Sequence, residues 1–119
     1  KSDELDDPFM NTDHILYLNL ATQQEIKKIN KVSLKINTLL TKLFSEIDIL
    51  LVDFKIEYGR YNKNIILADE ISPDSCRLWD KNSKESFDKD LFRQDKTGLI
   101  EAYENIYIKL KNLNRGNYV

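Results

Sequence analysis

The 119-residue chain has little of what would narrow its chemistry at a glance, and each shortage excludes something. Cys76 is the only cysteine, so no disulfide can form within the chain, and a reducing cytoplasm is the expected setting. No apolar run approaches the roughly 20 residues a membrane-spanning helix needs, so no membrane role is expected. Neither charge sign dominates: 18 Lys and Arg stand against 20 Asp and Glu, a formal net charge of -2. Without a basic stripe interleaved with aromatics, nucleic acid is set aside as a partner. There are no internal repeats and no low-complexity tract. His14, the only histidine, has no Ser, Cys or carboxylate partner at a telling spacing and is not expected to be catalytic. The chain opens Lys1-Ser2-Asp3-Glu4, with neither Met nor an apolar signal segment, and reads as a piece of a longer polypeptide.

What is present is a mixture of helical and strand periods. A hydrophobic content of 41% with 32% charged residues suits a globular domain with a modest core. Residues 1–21 begin acidic, are interrupted by Pro8, and end in an apolar patch over 15–20. Thr22 and Glu25 fit a capping box, in which each side chain satisfies a free backbone N–H at a helix start. Ile26, Ile29, Val32, Ile36, Leu39, Leu43 and Ile47 then recur at steps of three and four, one face of a long helix. Lys27, Lys28, Lys31, Lys35 and Lys42 fall largely off that face and read as solvated.

Near Ile49 the period changes to two. A strand is expected over 51–58, with Val52, Phe54, Ile56 and Tyr58 on its apolar face and Asp53, Lys55 and Glu57 on the other. Gly59 and residues 60–64 are expected to turn the chain into a returning strand over 65–68. Residues 71–90, with Pro73 and many polar groups, read mostly as loop, with a short helix near Asp88. A closing helix from about Thr97 buries Leu99, Tyr103, Ile106, Leu110 and Leu113, and Gly116 is its expected stop. The fold class is therefore α+β, an antiparallel hairpin or small sheet packed against a long central helix and a C-terminal helix.

The charged face of the 51–58 strand is the first chemical signal. On an edge strand Asp53, Lys55 and Glu57 would be a plain solvated face. Yet the returning strand ends in Asp69-Glu70, and Asp74, Arg77, Trp79 and Asp80 follow in a segment with Pro73, where a scaffold commonly holds functional groups. Carboxylates from adjacent strands suit Mg²⁺, a hard ion that prefers oxygen and shares its shell with substrate phosphate. Nearby Arg and Lys suit phosphate or carboxylate. With Glu57 opposite Asp69, residue 61 falls opposite 65 and leaves a three-residue loop over 62–64; a two-residue turn needs a bulge instead. Cys76 reads as a small loop residue, Trp79 as an aromatic pinning its loop to the body, and Tyr103 and Tyr107 as core or interface.

Several stretches are specific. Leu51-Val-Asp-Phe-Lys-Ile-Glu-Tyr-Gly59, Leu67-Ala-Asp-Glu-Ile-Ser-Pro-Asp-Ser-Cys-Arg-Leu-Trp-Asp80, Asp88-Lys-Asp-Leu-Phe-Arg93 and Leu99-Ile-Glu-Ala-Tyr103 resemble, in order, signatures of the SAICAR synthetases. Lys1-Ser-Asp-Glu-Leu-Asp-Asp-Pro8 resembles a further one, with Asp6 where the family usually has His. Tyr58 and the Lys96-Thr97 pair also depart from the pattern. The resemblance covers essentially the whole chain.

It implies the C-terminal half of an enzyme that uses ATP and Mg²⁺ to ligate L-aspartate to carboxyaminoimidazole ribonucleotide in purine biosynthesis. Matched position by position, Glu57 and Asp69 would bind Mg²⁺ and approach the nucleotide phosphates. Asp53 and Lys55 would face the imidazole ribonucleotide, Lys55 with a part in catalysis beside Glu57 and Asp69. Arg77 and Arg93 would hold its phosphate or a substrate carboxylate. Asp74 would order its loop or touch a ribose hydroxyl, and Lys1 and Asp3 would lie near the ATP. The family's N-terminal half, with the loop over the ATP phosphates and the adenine pocket, is not in this sequence, so residues 1–119 alone are expected to be inactive. A homodimer is implied as well. Two other readings stay open: a non-catalytic acidic module that binds a divalent ion or a partner, and an ATP-dependent carboxylate–amine ligase with another amine substrate.

Overall fold

A computed structural model describes the backbone of residues 3–87 and 98–117. The chain divides into two units, Lys1–Leu34 and Lys35–Val119. The first holds a 3-10 turn, Asp3–Leu5, then helix α1, Thr12–Tyr17, and the opening turns of α2, Gln23–Ser45. Both helix starts are closed by reciprocal capping. At α2 the Thr22 N–H donates to Glu25 Oε2 (2.7 Å) and the Glu25 N–H donates to Thr22 Oγ1 (3.2 Å), the expected box. At α1 Asn11 and His14 do the same: the His14 N–H donates to Asn11 Oδ1 and the Asn11 N–H to His14 Nδ1. His14 thus serves a helix start.

The second unit holds the rest of α2, four strands and helix α3, Leu99–Asn117. β1 (Ile49–Phe54) pairs antiparallel with β4 (Cys76–Asp80), and β2 (Glu57–Tyr61) pairs antiparallel with β3 (Asn64–Asp69). Phe44 and Ile47 at the end of α2, Ile49 of β1, Cys76 and Leu78 of β4 and Ile106 of α3 form one buried cluster, with Leu40, Leu51, Phe54, Phe87, Leu110 and Leu113 against it. Each fully buried Ile or Leu there contributes roughly 1.5–3 kcal/mol. Lys109 of α3 reaches across to donate to the Ile47 carbonyl at 3.3 Å, tying that helix to the turn between α2 and β1.

The α+β class stands, with corrections in detail. The expected strand over 51–58 is two strands with different partners, separated at Lys55-Ile56. The C-terminal end of α2 and helix α3 pack on β1 and β4, and the hairpin β2–β3 contributes no residue to the buried cluster. A bulge at Val52 shifts the register between Leu51 and Asp53, so the inward residues change from odd (Ile49, Leu51) to even (Phe54), and Val52 itself is 40% exposed. The segment 71–90 is not mostly loop, because Cys76, Arg77, Trp79 and Asp80 belong to β4; Cys76 is a buried core residue. On α2 the buried stripe near the C-terminus runs through Leu40 and Phe44, while Leu39 is 59% and Leu43 37% exposed. The α3 stripe falls as expected, but the helix continues past Gly116. The expected helix start near Asp88 lies outside the described residues.

Candidate metal and phosphate site

Hairpin β2–β3 is shaped by its turn and its bulge. Asn62 and Lys63 both have positive φ (46° and 62°), the two-residue turn whose twist suits a hairpin. Tyr61 therefore faces Asn64, and the three-residue loop expected from sequence does not form. One extra residue on β3 restores the register at the open end, where Glu57 faces Asp69. The turn sets the odd offset and the bulge absorbs it, so the two carboxylates still share a ladder position.

Glu70 joins them just beyond the strand. Its φ of +71° lies in the left-handed region that non-glycine residues seldom adopt, and its N–H donates to Asp69 Oδ1 at 2.8 Å. One carboxylate oxygen each from Glu57, Asp69 and Glu70 all lie within 4.8 Å of one another. Sequence reasoning paired Glu57 with Asp69 and left Glu70 out of the set; its adjacency to Asp69 was the available signal. Lys55 enters the same group, its Nζ 2.6 Å from Glu57 Oε1 and 3.3 Å from Glu70 Oε1. The hydrogen bond to Glu57 first, and that to Glu70 second, raise the Lys55 pKa above its ordinary value, so the ammonium is firmly charged.

The donor set fits Mg²⁺. The candidate donors are carboxylate oxygens, the hard ligands this ion prefers, and an octahedral ion at about 2.1 Å from each ligand places neighbouring oxygens about 3 Å apart and opposite ones about 4 Å apart. The oxygens of this group lie within 4.8 Å of one another, close to that spacing.

A second charged pair lies on the other sheet. Asp53 and Arg77 face each other across β1 and β4 directly after the Val52 bulge, and Arg77 Nη1 lies 2.5 Å from Asp53 Oδ2. The bulge turns Asp53 outward to meet the guanidinium, which is thereby aimed while staying partly exposed. Asp53, expected to face a substrate directly, is thus engaged by Arg77. Asp74 is exposed on the turn 72–75, which is ordered by Ser72 and Ser75 (the Ser75 N–H donates to the Ser72 carbonyl, 3.0 Å, and the Ser72 N–H to Ser75 Oγ, 3.0 Å). Asp80 accepts the N–H groups of Ser83 and Asn82, both at 2.8 Å, which lowers its pKa and closes the turn after β4. Lys1 and Arg93 lie outside the described residues, and Asp3 is described only as backbone of the first 3-10 turn.

Comparison with known proteins gives one consistent result. The model of the family described as SAICAR synthetase matches residues 1–110. A phosphoribosylaminoimidazole-succinocarboxamide synthase of Listeria welshimeri is 50% identical over 114 residues, 95% of this chain and 48% of that protein. The crystal structure of the enzyme of that name from Ehrlichia chaffeensis superposes with a TM-score of 0.87 at 45% identity, covering 93% of this chain and 48% of the other. A SAICAR synthetase in complex with ADP superposes equally well, 0.87 at 50% identity, over 94% of this chain and 48% of its own. The chain thus spans about half the length of the relatives it matches. Among the described residues no helix is long and apolar enough to cross a membrane.

Proposed function

The chain belongs to the SAICAR synthetase family, and on that footing we propose that it is the C-terminal, substrate- and magnesium-binding portion of an ATP-dependent ligase of purine biosynthesis. The ligase joins L-aspartate to carboxyaminoimidazole ribonucleotide, giving SAICAR, ADP and phosphate. The γ-phosphoryl group of ATP passes to the ribonucleotide carboxylate, the aspartate amine attacks the acyl carbon, and phosphate leaves as the amine gives up a proton. Such chemistry asks a protein for positioning and charge neutralisation more than for covalent participation.

The observation that supports this reading most is the convergence of the Glu57, Asp69 and Glu70 carboxylates, the first and last of them paired with Lys55, at the open end of a hairpin that adds no residue to the buried cluster. Glu57 and Asp69 would hold Mg²⁺, which when bound neutralises nucleotide phosphate charge. Lys55 presents a fixed positive charge beside them. Arg77, oriented by Asp53, offers a planar fork to a phosphate or carboxylate of the ribonucleotide. An ADP complex of a relative with the same fold supports the nucleotide part. The reading carries with it a cytoplasmic, homodimeric enzyme whose N-terminal half completes the ATP site.

The test is an assay of the full-length protein for ADP formation. Sustained ADP formation should require ATP, Mg²⁺, the ribonucleotide and aspartate together, and residues 1–119 alone should be inactive until the other half is added. ADP formation indifferent to aspartate, or faster with another amine, would reject the assigned reaction. No nucleotide turnover under any condition would favour the non-catalytic acidic module.

A further inference from the structure

Lys55 and a divalent ion would draw on the same oxygens. The ammonium lies 2.6 Å from Glu57 Oε1 and 3.3 Å from Glu70 Oε1, and both carboxylates belong with Asp69 to the one group among the described residues able to hold a metal. Among the described residues, three carboxylates and one ammonium leave two net negative charges, the complement of a single divalent cation. The ion can therefore enter without expelling the lysine, provided the lysine gives up one partner. The fold indicates which. Glu57 and Asp69 face each other at one ladder position of β2 and β3 and form the natural pair for an ion between strands. Glu70 stands past the end of β3, its backbone turned into the left-handed region and its N–H tied to Asp69.

We propose that Lys55 is the resident cation of this carboxylate group, that a divalent metal displaces it from Glu57, and that Glu70 then retains it beside the metal. Glu70 is accordingly a positioning residue for Lys55 and not a third metal ligand. The proposal rests on the magnesium reading of Glu57 and Asp69 given above. Its consequence is that metal entry re-aims the lysine: an ammonium bound to two carboxylates becomes one bound to a single carboxylate, with donors free for an incoming anion.

Manganese affinity of the full-length protein, read from the paramagnetic resonance of free Mn²⁺ without substrates, tests this through a double-mutant cycle. Lys55→Gln removes the competitor and should tighten Mn²⁺ binding by about tenfold. Glu70→Gln should weaken it by about tenfold in the native background, because the displaced lysine then loses the carboxylate that retains it. In the Lys55→Gln background the same change should cost no more than about threefold. Glu70→Ala serves should Glu70→Gln fail to fold. An equal loss from Glu70→Gln in both backgrounds would make Glu70 a ligand and overturn the proposal. So would unchanged or weaker binding in Lys55→Gln. No Mn²⁺ binding by any variant would instead reject the metal reading itself, and the proposal with it.

Discussion

Strands β1 and β4 place Ile49, Leu51, Cys76 and Leu78 in or against the buried cluster, whereas β2 and β3 contribute no residue to it. The two pairs are alike in length and both antiparallel, yet they are held by different forces. The first is fixed by apolar burial between two helices, so its charged residues, Asp53 and Arg77, are carried on a rigid support. The second is fixed by local devices: a turn with two left-handed residues, one bulge, and the ion pairs of Lys55 with Glu57 and Glu70. On the function proposed above, the metal-binding carboxylates would sit on the pair held by local devices, and the substrate-facing arginine on the pair held by the core.

If this contrast is right, substitutions in the two pairs should fail in different ways. The largest effect on the fold is expected from Leu78→Ala, which opens a cavity where Leu78 has no exposed surface. A loss of about 2–5 kcal/mol is expected in urea unfolding. A loss below about 1 kcal/mol would mean that β4 is not part of the core.

Glu57→Gln should do the reverse. It keeps shape and removes one negative charge, and the ion pair it weakens is largely exposed at Lys55, so stability should change little, while turnover in the full-length protein should fall by about a hundredfold and recover partly at raised Mg²⁺. Near-normal turnover at limiting Mg²⁺ would remove Glu57 from the site.

Arg77→Lys probes the rigid pair for function. Lysine keeps the charge but not the planar fork, and the cross-strand contact to Asp53 loses its geometry. A loss of about 1–3 kcal/mol in transition-state stabilisation is expected, read as tenfold to a hundredfold in kcat/KM for the ribonucleotide, with the ATP constant little changed. A shift confined to ATP would place Arg77 on the nucleotide side.

Lys63→Gly sharpens the contrast at the hairpin. A left-handed backbone costs a non-glycine residue about 1–2 kcal/mol, and glycine gives back about 0.5–1 kcal/mol in chain entropy, so a net gain of about 0.5–1 kcal/mol is expected in hairpin stability. Faster hydrogen exchange across β2 and β3 in the variant would contradict that turn geometry.

The smallest effect is expected at the turn after β4. The Asp80 carboxylate has a lowered pKa because it accepts two backbone N–H groups, so its contribution is complete above its ordinary pKa and is lost as the pH falls through the lower folded value. Asp80→Asn should lower the melting temperature by about a degree or two at neutral pH, and the gap should close in acid. A gap that persists unchanged at the lowest pH would mean that the carboxylate charge plays no part.

Much of this was legible because its causes are local. The Thr22 and Glu25 cap, the stripe of α3 and the change of period near Ile49 all follow from residue types at fixed short spacings, whereas the pairing of Glu57 with Asp69, expected through a three-residue loop, is reached through a two-residue turn and a bulge. Tertiary packing decided the rest. Whether Val52 points in or out depends on a bulge that exists because β1 must match β4, a strand 24 residues away between Asp53 and Arg77. The buried side of α2 moves from Leu39 and Leu43 to Leu40 and Phe44 because β1, β4 and α3 lie there, and an apolar face on both sides of a helix cannot say which will be covered. Glu70 and Lys55 meet for the same reason: electrostatic contact is a matter of distance in space, and only the folded hairpin gathers the carboxylates of residues 57, 69 and 70 and brings two of them to the Lys55 ammonium.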